Sequence, residues 1–131
     1  MQEHSRNNVP ALQGVDHVHL CVPDKAAAAE WYADHLGFQV VERFRVWDTG
    51  SGPLVMRDQH DTVHIALFAR EQYTPISAIA LGADSEGFSR WREYLQARNL
   101  PLREADHGLS RSLYFADPWG NEHEITTYPE S

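Results

Sequence analysis

The chain is short of cysteine, methionine and positive charge. One cysteine, Cys21, stands in 131 residues, inside an apolar run. A lone thiol excludes an intramolecular disulfide framework and a Cys-rich zinc site, and it suits a reducing compartment. Eleven Lys and Arg face nineteen Asp and Glu, for a net charge of −8. That balance argues against nucleic acid or an anionic membrane as the main partner. No stretch approaches the roughly 20 apolar residues that span a bilayer. Residues 1–14 are polar and lack the apolar segment of a secretory signal. A phosphate-cradling glycine loop is missing as well, since Gly50-Ser51-Gly52 reads only as a turn. The expectation is a cytoplasmic protein with a flexible N-terminal arm over 1–14 and one domain over 15–129.

What is present is enough for a real core. Hydrophobic residues make up 42% of the chain and aromatics 11%, four Trp among them. In Val15 to Val22, apolar residues at 18, 20 and 22 alternate with His17 and His19. That period of two predicts a strand with both histidines on one face. Pro23-Asp24 ends it. Asp24 is then an N-cap for a helix running to Leu36, with Gly37 at its end and Ala28, Trp31, Tyr32 and Leu36 as the buried stripe. Strands are expected over Phe38–Trp47, near 54–56 and over Val63–Phe68.

The order then repeats. Ser77–Leu81 reads as a strand, Asp84-Ser85 as a cap, and Phe88, Trp91 and Leu95 as a helical stripe ending at Asn99. Leu100–Glu104, Ser110–Phe115 and His123–Tyr128 read as strands, with a tight turn over Asp117–Asn121. His17 and Ala78 are 61 apart, Trp31 and Trp91 are 60 apart, and His64–Phe68 lies 60 before Glu124–Tyr128. A repeat at one offset predicts an α+β fold. It consists of two paired βαβββ modules, about 15–70 and 76–129, forming a curled mixed sheet with a central cleft. A module of ~60 residues is marginal alone, so two must pair, within the chain or between chains.

Three pieces together resemble the vicinal oxygen chelate superfamily. They are Asp16-His17-Val18-His19-Leu20 before a Pro-Asp helix start, Trp31-Tyr32 with Leu36-Gly37-Phe38, and Asp117-Pro118-Trp119-Gly120-Asn121 followed by Glu124. The superfamily includes glyoxalase I, extradiol dioxygenases, fosfomycin-resistance thiol transferases, methylmalonyl-CoA epimerase and bleomycin-binding proteins. The resemblance spans about 15–129. It implies a divalent metal in the cleft, with ligands from the first and last strand of each module. Those positions here are His17, His64, Ala78 and Glu124. Ala78 departs from the pattern, because a methyl group ligates nothing.

Two readings stay open. In one, His64 takes the vacant place and His17, His64 and Glu124 form a two-His, one-carboxylate set. Such a set suits Fe(II) or Mn(II), with Ni(II) or Zn(II) as further candidates. In the other, the cleft has lost its metal and binds a small molecule or drug without chemistry. The run from His107 through Tyr114 to the Asp-Pro-x-Gly turn and Glu124 resembles the extradiol dioxygenase signature. That implies His107 as acid or base and Tyr114 as a hydrogen-bond partner of a substrate oxygen. The expected function is a small metal-dependent, dioxygenase-like enzyme acting on an aromatic diol or another oxygen-chelating small molecule, with a glyoxalase-like lyase or isomerase as the second enzyme reading. A homodimer is implied by analogy, with one cleft drawing ligands from two chains.

Overall fold

The computed structural model describes residues 9, 10, 12–76 and 78–129. The first module contains β1 (Val18–Val22), α1 (Lys25–Leu36), β2 (Gln39–Val40), a 3-10 helix (Glu42–Trp47), β3 (Leu54–Arg57) and β4 (His64–Ala69). The second contains β5 (Ile79–Gly82), α2 (Ser85–Ala97), β6 (Arg103–Asp106), β7 (Arg111–Ala116) and β8 (Glu122–Thr127). Each module makes its own four-stranded sheet, ordered β1-β4-β3-β2 and β5-β8-β7-β6. In each, the first strand runs parallel to the last and the remaining pairs are antiparallel. The repeat in the sequence is thus a repeat in topology.

Local chemistry sets the helix ends. Asp24 accepts from the Ala26 and Ala27 backbone N–H groups at 2.9 and 3.2 Å, and Gly37 closes α1 at φ 72°. A left-handed residue there costs glycine nothing. Asp84 caps α2 by accepting from Gly87 N–H at 2.7 Å. Asn99, at φ 59°, ends it.

Alternate strand positions go under the helices. Leu20, Val22, Leu54, Met56, Ile65 and Leu67 from the first sheet join Leu113, Phe115 and Ile125 from the second, with Tyr32, Phe88 and Leu95 from the helices. One core therefore serves both modules, and α2 touches α1 directly where Tyr94 Oη donates to the Asp34 carbonyl at 3.0 Å. The opposite face of each sheet carries the more exposed side chains, although Val55, Ala66 and Ser112 on it are buried.

A buried polar junction also crosses between the modules. Tyr32 Oη donates to Asp117 Oδ2 at 2.7 Å and lies 2.8 Å from His123 Nε2. Asp117 Oδ1 accepts from the Trp119 and Asn121 backbone N–H groups, and Asn121 Nδ2 donates to Asp117 Oδ2. The same Nδ2 donates to the Cys21 carbonyl on β1, while Asn121 Oδ1 accepts from Ile76 N–H. With Tyr32 donating to Asp117, His123 carries its proton on Nε2 and donates to Tyr32. His123 Nδ1 is then a buried acceptor without a partner, so a second proton has nowhere to bond. Burial accordingly pushes the His123 pKa down to about 4, although the negative charge of Asp117 pulls the other way. Burial first, and Asp117 second, push the Tyr32 hydroxyl far above its ordinary range.

The strand expected over Phe38–Trp47 is a correction. Only Gln39–Val40 pairs, against Arg57 and Met56. Beyond Val41 the chain tightens into the 3-10 helix, where residues three apart eclipse. Phe44 and Trp47 stack at 4.6 Å and 14°, and Arg45 Nε donates to Glu42 at 2.8 Å. The stack uses the three-residue spacing of Phe44 and Trp47, and Val46 of the period-two alternation is left exposed. The strand expected at 100–104 begins instead at Arg103, after Pro101, which has no N–H to give a ladder. Ser77, the expected start of the fifth strand, lies outside the described residues, as do residues 1–8 of the expected arm.

Candidate functional site on two open faces

On β1, His19 and Cys21 alternate with buried Leu20 and Val22, and His17 continues the same side one residue before the strand. On β4, Ala66 and Phe68 share that face with His64. Arg57 of β3 stands opposite His64 in the antiparallel pairing. The first open face is therefore rich in imidazole. His17 Nδ1 bonds Asp16 Oδ2 at 2.8 Å, and His17 Nε2 lies 2.9 Å from His19 Nε2. Those two rings stack at 4.9 Å, and His19 leans on Phe68 at 4.7 Å. His64 Nε2 is held by Asp61 Oδ1 at 2.8 Å.

The second open face carries a carboxylate, a phenol and a further imidazole. Glu124 of β8 sits between Ala80 of β5 and Tyr114 of β7 in the strand register. Ser112 Oγ donates to Glu124 Oε2 at 2.6 Å. Tyr114 Oη is 3.1 Å from His107 Nε2, and the Arg103 guanidinium lies over the Tyr114 ring at 4.2 Å. Ala78 and Ala80 offer methyl groups only. His123 alternates away from Glu124 into the junction, as its position in the strand predicts.

The structure thus joins His17 with His19, and His107 with Tyr114. The hydrogen bonds of each candidate stay within its own module. Among the described residues, no three His, Cys, Asp or Glu side chains gather into a group able to hold a metal ion. The donor types nevertheless suit a divalent ion: two imidazole nitrogens converge on one face, and a half-buried carboxylate stands on the other. Clefts of about 720 and 570 Å³ open where the end of α1 and the 58–63 loop meet α2 and β5. None of the candidate residues lines either cleft.

Strand alternation set His17 and His19 on one face and Glu124 opposite His123, as the structure has them, but two features were missed. The proximity of His19 to His17 depends on side-chain rotamers. The junction has a faint sequence signal, an Asp and an Asn four apart in a tight turn, each with more bonding capacity than a turn uses.

The architecture defines a class, the α+β proteins built from paired βαβββ modules. The chain belongs to the glyoxalase, bleomycin resistance protein and dioxygenase superfamily, whose model matches residues 14–125. Among curated proteins none matches it. A lactoylglutathione lyase from Agrobacterium tumefaciens is similar in structure, with TM-score 0.72 and 18% identity over 90% of this chain and 96% of that one. The fosfomycin resistance protein FosX from Listeria monocytogenes gives 0.70 and 17%, over 89% and 94%. A domain of the same superfamily from Frankia sp. EAN1pec gives 0.74 and 15%, over 92% and 96%. At these identities the likeness establishes the fold alone. No helix among the described residues is long and apolar enough to cross a membrane.

Proposed function

We propose that this chain is a small metal-dependent enzyme, dioxygenase-like, acting on an aromatic diol or another oxygen-chelating small molecule. His17, His64 and Glu124 hold the divalent ion, Fe(II) or Mn(II) by preference. Glu124 comes from a second copy of the chain, so that the imidazole face of one copy meets the carboxylate face of the other in a homodimer. When bound, such an ion would supply Lewis acidity toward the substrate oxygens.

The observation that carries the reading is the His107–Tyr114 hydrogen bond at 3.1 Å, with Tyr114 directly across the strand pair from Glu124. An imidazole bonded to a phenol beside a carboxylate can pass a proton to or from a substrate hydroxyl. Tyr114 then orients that oxygen by hydrogen bonding, and His107 accepts the proton. Arg103, stacked on the Tyr114 ring, gives the anionic form of a diol a favourable field. Ser112, donating to Glu124 at 2.6 Å, fixes the carboxylate's orientation.

The test is anaerobic loading with Fe(II), then catechols and air. Oxygen uptake with a ring-cleavage chromophore is expected, falling by about 10²–10⁴-fold in His107→Ala. No uptake across a panel of diols, with metal bound, removes the dioxygenase reading and leaves a lyase or isomerase. One observation favours a second class: Ala78, just before β5, stands where the resemblance implies a ligand. If the protein takes up no metal, it is a metal-free binder of small molecules, and ligand screens replace reaction screens.

A further inference from the structure

None of the four ligand positions implied by the family resemblance uses His19, yet His19 is the imidazole that meets His17. We propose that His19 is a metal ligand, forming with His17 a two-imidazole clamp on β1 that makes good the donor missing at Ala78. This rests on the metal-dependent reading above and deepens it. The donor set becomes His17, His19 and His64 of one copy with Glu124 of the other.

The geometry carries the proposal. The two Nε2 atoms are 2.9 Å apart, with the rings inclined by only 23°. Asp16 Oδ2, 2.8 Å from His17 Nδ1, keeps the His17 proton on that nitrogen. His17 Nε2 therefore accepts from His19 Nε2–H, and a metal ion binding both nitrogens would displace that one proton. A carboxylate behind an imidazole is the arrangement that orients metal-bound histidines and raises their basicity. Phe68 packs against the outer imidazole and limits its rotation. The 2.9 Å spacing is that of a hydrogen bond between the two imidazoles, close enough for one ion to take the place of the shared proton.

His19 is exposed and its face is not part of the core, so its replacement should leave the fold intact. The experiment is titration of the full-length metal-free protein with Ni(II), alone and as Asp16→Asn, His17→Ala, His19→Ala and His19→Gln. Wild type should bind one ion per chain. His19→Ala and His19→Gln should each weaken binding on the order of a hundred-fold, and Asp16→Asn by on the order of ten-fold. Far-UV circular dichroism should be unchanged in all four. Cu(II)-loaded wild type should show one more coordinated imidazole by pulsed electron paramagnetic resonance than Cu(II)-loaded His19→Gln. If His19→Ala binds Ni(II) like wild type while His17→Ala does not, the clamp is wrong and the metal-dependent reading stands. If wild type binds neither Ni(II), Mn(II) nor Fe(II), the metal-dependent reading falls, and the clamp with it.

Discussion

The module junction and the open faces both concentrate polar groups, but they do so under opposite conditions. At the junction, Tyr32, Asp117, Asn121 and His123 are removed from water, and all but one of their side-chain bonding groups are paired. On the open faces, His17, His19, His107 and Glu124 reach solvent or are half-buried, and each is tied only within its own module. Burial makes the junction a stability element, because every unpaired group there costs its full desolvation. The candidate groups on the faces keep contact with water, so replacing them should cost less stability. Substitution should separate the two, with large stability losses at the junction and large metal losses on the faces.

The strongest break is Asp117→Ala. It removes the acceptor of the Tyr32 hydroxyl and of two backbone N–H groups, and one of the two acceptors of Asn121 Nδ2. At about 1–3 kcal/mol for each buried group left unpaired, the loss should exceed about 3 kcal/mol, read as the denaturant midpoint. Acid is a comparable probe. Unfolded His123 titrates near its ordinary value of 6.5, but folded His123 near 4. Between those values the unfolded chain takes up a proton that the folded chain refuses. Stability should therefore fall as pH drops from about 6.5 to about 4, by about 3 kcal/mol, and this contribution should level off below. In His123→Gln that slope should disappear from guanidinium melts taken across the window.

Tyr32→Phe removes one hydroxyl and two hydrogen bonds, and calorimetry should show a loss of about 1–3 kcal/mol. Glu124→Ala marks the other end of the comparison. Its stability change should be about 1 kcal/mol by the same melts, since Ser112 loses this acceptor but keeps Thr126, while metal content by mass spectrometry falls to background. A junction variant that lost metal but kept its midpoint would dissolve the distinction.

The two modules also differ from each other on their open faces. The first offers imidazoles, His17, His19 and His64. The second offers Glu124 with the His107–Tyr114 pair, and the methyl groups of Ala78 and Ala80, just before and on β5. The two modules share one topology but not one face chemistry: the proposed metal donors lie mostly on the first and the proposed proton-transfer pair on the second.

Much of the fold was legible because its signals are local. Asp24, Gly37, Asp84 and Asn99 mark the helix ends through backbone bonding that depends on a few neighbours. The alternation around His17 and Glu124 assigned their faces, since a period of two leaves one choice once Leu20 and Ile125 are buried. The stretch 38–47 misled because apolar residues three apart and two apart coexist there, and the Phe44–Trp47 stack took the first spacing. The site was legible as two half-sets but not as a whole. Whether Glu124 meets His17 depends on how modules pair, which no spacing along the chain encodes. The Asp117 network was hidden for a related reason: its partners Tyr32 and Cys21 lie 85 and 100 residues from Asp117 and Asn121, respectively.

The central claim is that one site is assembled from the imidazole face of one copy and the carboxylate face of another. Mixing tests it most directly. His17→Ala and Glu124→Ala proteins would be unfolded and refolded together, and their Ni(II) content compared with each refolded alone. In a mixed dimer, one site regains both His17 and Glu124, so the mixture should bind Ni(II) although neither parent does. A mixture as empty as its parents, beside a wild type that binds, would contradict the account.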